Sequence, residues 1–317
     1  MSRARLAHDP GHVIRLRGID HVCLSVSNLS EARARWSTQF GLLDRGGDEG
    51  RALLACEDEP YSLELVEGEA GHHHTAFELA LDCGIADAEA ALSAAQVDAV
   101  ELDGSLHLRD PDGFGIELVP FREREPWVAH ARRSKSVRPG APRKLGHVNC
   151  LSSHLEEGVR FYTEVLGMKV SDRLGAEGVW LHVATDHHVM ALMGKGVSHF
   201  HHLAFDTVDI GQMRDMLDRV ARHGRWLGWG PARHGVGGNI ASYVRIVEEE
   251  CFVELYCDME QLQGDHEPRD WPDDRFSSNT WGPLPPRSYF RFDPVAVEWE
   301  RESREMRGQP LPNEEST

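Results

Sequence analysis

Residues 199–205 read HFHHLAF, three histidines in four positions ahead of a strand-like apolar run. Imidazole holds metals and moves protons near neutral pH, yet it ordinarily interrupts a core, so such rings lie at a strand end facing water or point into a site. Two further residues stand in comparable surroundings, His147 in LGHVN and Glu254 in FVELY. His147, His202 and Glu254 together are two neutral imidazoles and one carboxylate. With coordination positions left over, that set is the facial triad of non-haem Fe(II), which binds O2 and substrate together; Mn(II) suits the same donors.

A duplication supplies the elements that must position these residues. IDHVCLSVSNLSEARARWSTQFGLL (19–43) aligns without a gap on LGHVNCLSSHLEEGVRFYTEVLGMK (145–169), placing His21 over His147, Trp36 over Tyr162 and Gly41 over Gly167. Each segment opens as an apolar strand, crosses a polar turn and continues as an amphipathic helix ended by glycine. HHHTAFELAL (72–81) matches FHHLAFDTVD (200–209), with His74 over His202, and FGIELVPF (114–121) matches FVELYCD (252–258), with Glu117 over Glu254. Three landmarks in one order define a duplicated module. The pattern of a strand, a helix and several strands predicts an α+β repeat built on βαβββ units.

Domain boundaries follow from composition. Residues 1–14 form an N-terminal tail and 15–125 the first module. The Pro-containing, charged stretch 126–143 is a linker, 144–262 the second module, and 263–317 a Pro- and Trp-rich tail placed to wrap back as a lid, with a disordered end. The first module keeps His21, His74 and Glu117 but has no counterpart to RHGVGGNIASY (233–243), and it reads as a structural relic beside a catalytic second module.

LGHVN (145–149), DHHVMAL (186–192), HHLAF (201–205), RHGVGGNIASY (233–243) and FVELY (252–256), in that order, make the chain resemble the type I extradiol ring-cleavage dioxygenases of the vicinal oxygen chelate superfamily, such as catechol 2,3-dioxygenase and homoprotocatechuate 2,3-dioxygenase. The resemblance covers residues 15–260. It implies two tandem vicinal oxygen chelate modules, each a pair of βαβββ units forming an incomplete barrel. It also implies Fe(II) on His147, His202 and Glu254, His188 as the acid–base residue, and His234 and Tyr243 as hydrogen-bond partners of a catechol. The expected reaction opens the ring beside the two hydroxyls with O2, giving a 2-hydroxymuconic semialdehyde-type product in aromatic-compound degradation. His199 and His201 are then structural or surface residues, His201 alternating to the other strand face.

Asn149, on the strand face of His147, and Trp180 are candidates for lining the substrate pocket, as Arg233, Arg269 and Arg287 are for pairing with a substrate carboxylate. One departure stands between Tyr243 and Glu254. The family commonly has a short Asp-Pro-x-Gly turn there, whereas VRIVEEECFV is one residue longer, and Glu248, Glu249 and Glu250 read as a solvated hairpin turn. Two other activities use the same scaffold: a metal-dependent glyoxalase-like isomerase or lyase, and a binding protein that sequesters an aromatic drug. His188, His234 and Tyr243 argue against the first, and an intact triad against the second.

Composition narrows the partners. With 34 Lys+Arg against 52 Asp+Glu, the 317-residue chain carries a net charge of −18, which repels nucleic acid and anionic membrane surfaces. MSRARLAHDPGHVIRL lacks the apolar core of a secretory signal, and six cysteines without a CxxC pair read as buried thiols, so a cytoplasmic protein is expected. Exposed edges of such modules commonly pair, which favours a homo-oligomer.

Overall fold

The computed structural model describes residues 13–57, 59–123 and 138–305. The expected N-terminal tail up to residue 12, most of the linker and the chain end from 306 lie outside the described residues.

The first module runs β1 (Leu16–Val26), α1 (Leu29–Phe40), β2 (Leu43–Asp48), β3 (Arg51–Ala55), β4 (Leu63–Glu67), β5 (Gly71–Leu79), α2 (Ile85–Ala94), β6 (Ala99–Leu102), β7 (Ser105–Arg109) and β8 (Gly115–Val119). The second repeats the order: β9 (Lys144–Ser152), α3 (Leu155–Arg160), β10 (Lys169–Leu174), β11 (Gly178–His182), β12 (Met190–Gly194), β13 (His199–Asp206), α4 (Ile210–Arg222), β14 (Leu227–Arg233), β15 (Ile240–Ile246) and β16 (Cys251–Cys257). The tail adds β17 (Arg269–Asp270), α5 (Arg275–Ser278) and α6 (Pro294–Glu305). Each module is thus a pair of βαβββ units.

Strand order follows the duplication. One sheet runs β2-β3-β4-β1-β5-β8-β7-β6 and the other β14-β15-β16-β13-β9-β12-β11-β10-β17. The opening strands of the two units pair antiparallel at the centre of each sheet, β1 with β5 and β9 with β13. Each opening strand also runs parallel to the last strand of its own unit, as β13 does to β16. The strands carrying the candidate ligands are therefore adjacent and central, where both ladder edges are satisfied and the backbone is least free to move.

Local sequence explains the helices. In α1, Ala32, Trp36 and Phe40 recur every four residues and are buried; Asn28 caps the start by accepting from the Glu31 N–H at 3.1 Å, and Gly41 ends it at φ 71°. In α4, Met213, Met216 and Val220 form the buried stripe and Asp209 caps the start. The helix after β9 departs from the expected single α-helix, because Phe161–Val165 continues it as a π-helical turn that seats Phe161 and Tyr162 in the core.

The apolar core is continuous across both modules, from Trp36 and Phe40 to Phe161, Tyr162 and Met213. Polar contacts cross the same boundary. The Tyr162 hydroxyl donates to Asp110 Oδ2 at 2.9 Å. Arg35 of α1 pairs with Glu249 and, at 3.8 Å, with Glu248. The acidic turn is solvated as expected at Glu248 and Glu250 but not at Glu249, which is 2% exposed; burial, with the charge of Glu248 adding to it, pushes its carboxyl up to about 7 despite Arg35. The cause is tertiary, since the β15–β16 turn packs on a helix of the other module. The cysteines behave as expected, all six buried and free. No helix among the described residues is long and apolar enough to cross a membrane.

Asp112, on the β7–β8 turn, accepts from the Ser153 N–H at 3.0 Å and from the hydroxyls of Ser153 at 2.8 Å and Ser198 at 2.5 Å, tying the first module to the second. Burial would raise its carboxyl, but the bonds from Ser152, Ser198 and Ser153 outweigh it and hold the group at about 2. This stabilisation exists above the ordinary carboxylate range and disappears as pH falls through the folded value. Thermal melts of wild type and Asp112→Asn are expected to differ at pH 7 and to converge as the pH approaches 2.

Candidate functional site

His147 lies on β9, His202 on β13 and Glu254 on β16, three neighbouring strands. Ala204 sits at the register position opposite both His147 and Glu254, so a methyl group is all that occupies the strand between them. The three longer side chains can then converge. His147 Nε2 and His202 Nε2 each lie 3.1 Å from Glu254 Oε2, and all three residues are buried. Gly146 keeps the approach open, because a Cβ there would meet Tyr256 Oη at 1.8 Å.

The hydrogen bonds around this node decide which nitrogen of each ring faces it. A backbone carbonyl can only accept, so His201 Nε2 donates to Tyr289 O at 2.8 Å. Burial drives the His201 pKa well below its ordinary value, so its ring is neutral and its Nδ1 is an acceptor. His202 Nδ1, 2.8 Å away, must therefore be the donor, which leaves the Nε2 lone pair directed at the node. His202 Nε2 is buried without an aligned hydrogen-bond partner. The other carboxylate oxygen, Glu254 Oε1, accepts from Asn239 Nδ2 at 2.8 Å. Burial alone would raise the Glu254 pKa; the nearby His147 and His202 rings outweigh it and hold the carboxyl well below its usual range.

Two imidazole nitrogens and a carboxylate oxygen, drawn together in a buried pocket, fit a divalent cation. Ligand atoms about 2.1 Å from one ion lie roughly 3.0 to 3.4 Å apart, the spacing observed here. No thiolate belongs to this set.

A second adjacent histidine pair repeats the relay. His187 Nε2 lies 3.0 Å from Asp172 Oδ2, and its Nδ1 lies 3.0 Å from His188 Nδ1. Asp172 is held at about 2, its burial outweighed by bonds from His187 and Arg269, so it is an anion and His187 donates to it. When His187 carries only that one N–H, His188 donates from Nδ1 and keeps its lone pair on Nε2. Burial, reinforced by the neighbouring His147 ring, drives the His188 pKa well below its ordinary value and keeps the ring neutral. The His188 ring packs on His147 at a centroid distance of 4.3 Å.

A cavity of about 220 Å3 opens from the node, and Asn149, Trp180, His188, His234 and Tyr243 all line it. His234 Nε2 and Tyr243 Oη are 2.8 Å apart, and Tyr243 stacks on Trp229 with centroids 5.1 Å apart. Asp273, Ser277, Tyr289 and Phe290 of the tail complete the wall. None of the three candidate arginines lines the cavity: Arg269 is taken by Asp172 at 2.9 Å and Glu260 at 2.6 Å, and Arg233 faces Asp258. Asn239, His187, Trp229 and Tyr289 were not singled out from the sequence. The HH dipeptides were the one available signal, since a buried neighbour can orient a ligand ring.

Residues 144–245 match the Glyoxalase/Bleomycin resistance protein/Dioxygenase superfamily. The fold is that of two tandem vicinal oxygen chelate modules, and the resemblance to type I extradiol ring-cleavage dioxygenases extends along most of the chain. Among curated relatives, metapyrocatechase 2 of Cupriavidus necator is 26% identical over 309 residues, covering 89% of this chain and 93% of the relative. Biphenyl-2,3-diol 1,2-dioxygenase of Paraburkholderia xenovorans (strain LB400) is 23% identical over 238 residues, covering 66% of this chain and 77% of the relative. Among solved structures, the anaerobic complex of Brevibacterium fuscum homoprotocatechuate 2,3-dioxygenase with 3,4-dihydroxyphenylacetate superimposes with a TM-score of 0.76 at 21% identity, covering 90% of this chain and 94% of that one. The Mn(II)-bound glyoxalase of Novosphingobium aromaticivorans gives 0.72 at 24% identity, covering 85% and 91%.

Residues that hold a metal ligand in orientation typically contribute tenfold to a hundredfold to affinity. Asn239→Ala is expected to weaken divalent-metal binding by about that factor while leaving the circular dichroism spectrum unchanged, as measured by competition with a chromophoric chelator.

Proposed function

We propose that the protein is an extradiol dioxygenase that opens a catechol ring next to its two hydroxyls with O2, using Fe(II) held by His147, His202 and Glu254 in the second module. The observation that carries this reading is the convergence of those three side chains at the head of a cavity lined by a neutral His188 and the His234–Tyr243 pair. Bound Fe(II) would chelate both catechol oxygens and provide the electron path that lets O2 react with the ring.

The chain's own residues do the rest. His188 Nε2, a lone-pair nitrogen on a ring that lines the cavity, takes a proton from a substrate hydroxyl and returns it later in the cycle. Tyr243 and His234 hydrogen-bond the substrate oxygens where charge builds up. Burial, with the Glu254 charge adding to it, raises the Tyr243 pKa well above its ordinary value, so its hydroxyl remains a donor. Trp180, Trp229 and Phe290 exclude water and pack on the ring plane. Residues from the tail close the outer side.

The cavity also favours a class of catechol. Lys195 on its wall is already paired with Glu177, and Asp273 adds another carboxylate to the lining. A ring bearing an alkyl or aryl group fits these surroundings better than one bearing a carboxylate.

The test is to load the protein anaerobically with Fe(II), add catechol, methyl-, phenyl- and carboxymethyl-catechol, admit air, and follow O2 uptake and the yellow product. One O2 per substrate is expected, absent in His202→Ala, with kcat/KM lowest for the carboxymethyl compound. His188→Ala should lower kcat/KM by about a hundredfold to ten-thousandfold. No uptake from iron-loaded protein with any catechol would contradict the proposal and favour O2-independent isomerase chemistry on the same ligands.

A further inference from the structure

The first module contains a second convergence of ligand atoms. His21 on β1, His74 on β5 and Glu117 on β8 occupy the slots of His147, His202 and Glu254, again around an alanine, since Ala76 is opposite both His21 and Glu117. His21 Nε2 lies 3.2 Å from His74 Nε2 and 3.3 Å from Glu117 Oε2, and His74 Nε2 lies 3.0 Å from Glu117 Oε2. The three separations match the roughly 3.0 to 3.4 Å expected of ligands sharing one ion. A further carboxylate, Glu64 Oε2 of β4, is 3.2 Å from His21 Nε2.

Each of these side chains is also held from behind. His21 Nδ1 is 2.8 Å from Asp20 Oδ1, and Asp20 is itself paired with Arg122. His74 Nδ1 is 2.8 Å from His73 Nδ1. Glu117 Oε1 accepts from Ser105 Oγ at 2.5 Å, and Glu64 Oε1 pairs with Arg51. A carboxylate behind one histidine and a donor on the outer oxygen of each Glu are the outer contacts that orient metal ligands. Asp20 Oδ1 holds Nδ1, so Nε2 is the His21 nitrogen turned towards two carboxylate oxygens and a second ring.

The second module differs at one register position. Glu64 is opposite Cys23 on β1, and the equivalent residue, opposite Asn149 on β9, is Ala191. Where the second module presents a methyl group and keeps coordination positions open for substrate, the first presents another carboxylate. A carboxylate there leaves a substrate less room to reach an ion than a methyl group does, which suits a structural site better than a catalytic one. At the slot of His188 the first module has Tyr61, whose ring packs 4.7 Å from that of His21 and whose hydroxyl accepts from Arg122, so no acid–base histidine stands there.

We propose that the first module binds a second divalent first-row cation through His21, His74 and Glu117, as a structural site joining β1, β5 and β8. Two imidazoles and a carboxylate accept Zn(II), Fe(II), Mn(II) or Co(II). This inference does not depend on the activity proposed for the second module.

The test uses the full chain, stripped with chelator, reloaded with Zn(II), passed through gel filtration in the presence of a weak competing chelator and analysed for metal by mass spectrometry. Wild type should retain two equivalents, His202→Ala one, Glu117→Gln one and the double variant none. His202→Ala leaves the first module unaltered, so its melting temperature should rise with Zn(II) even if Glu117→Gln folds poorly. One equivalent in wild type and none in His202→Ala, with no Zn(II)-dependent rise in melting temperature, would overturn the proposal. The cluster would then be a proton-bridged network around a charged His21.

Discussion

A carboxylate 1% exposed to solvent and facing two imidazoles is the constraint around which the second module is organised. Burying Glu254 costs several kcal/mol unless positive charge or hydrogen bonds compensate. Asn239 satisfies one of its oxygens, and the other meets His147 and His202 at a spacing suited to a cation. The surrounding structure serves to keep that arrangement from relaxing. His201 fixes the tautomer of His202 through a carbonyl of the tail, Gly146 makes room for Tyr256, and the three ligand strands are central in their sheet.

The duplication explains how so few residues achieve this. In either module the opening strands pair antiparallel and each runs parallel to the last strand of its own unit, which brings two histidines and a glutamate around one alanine. What distinguishes the modules lies outside that shared triad. The second has an alanine on its fourth strand, a histidine relay through Asp172, a long β14–β15 segment carrying His234 and Asn239, and a cavity closed by tail residues. The first has a glutamate on the fourth strand and a tyrosine in place of the acid–base histidine. One scaffold therefore carries the same trio in both copies, under a cavity in one and with an added carboxylate beside it in the other.

The order of elements was legible because the repeat could be aligned without a gap and each copy changes from strand to helix periodicity at the same place. Convergence of His147, His202 and Glu254 was legible for the same reason, as equivalent positions in a duplicated sheet are neighbours. What escaped the sequence depends on contacts between distant segments. Glu249 appeared to be a solvated turn residue because its burial comes from a helix of the other module. Arg269 looked available to a substrate because nothing local reveals that β17 lays it on Asp172. Tyr289 gave no signal at all: its role is a backbone carbonyl, which any residue would supply, together with a ring whose partners come from four strands.

Diffraction from anaerobically grown, Fe(II)-loaded crystals, with anomalous data at the iron edge, tests the central claim most directly. The account predicts an anomalous peak among His147 Nε2, His202 Nε2 and Glu254 Oε2, about 2.1 Å from each, with its open side facing the cavity next to His188 and Tyr243. Absence of a peak there, with the two rings still in direct contact with the Glu254 carboxylate, would show that the buried charge is balanced by protons and would contradict the account.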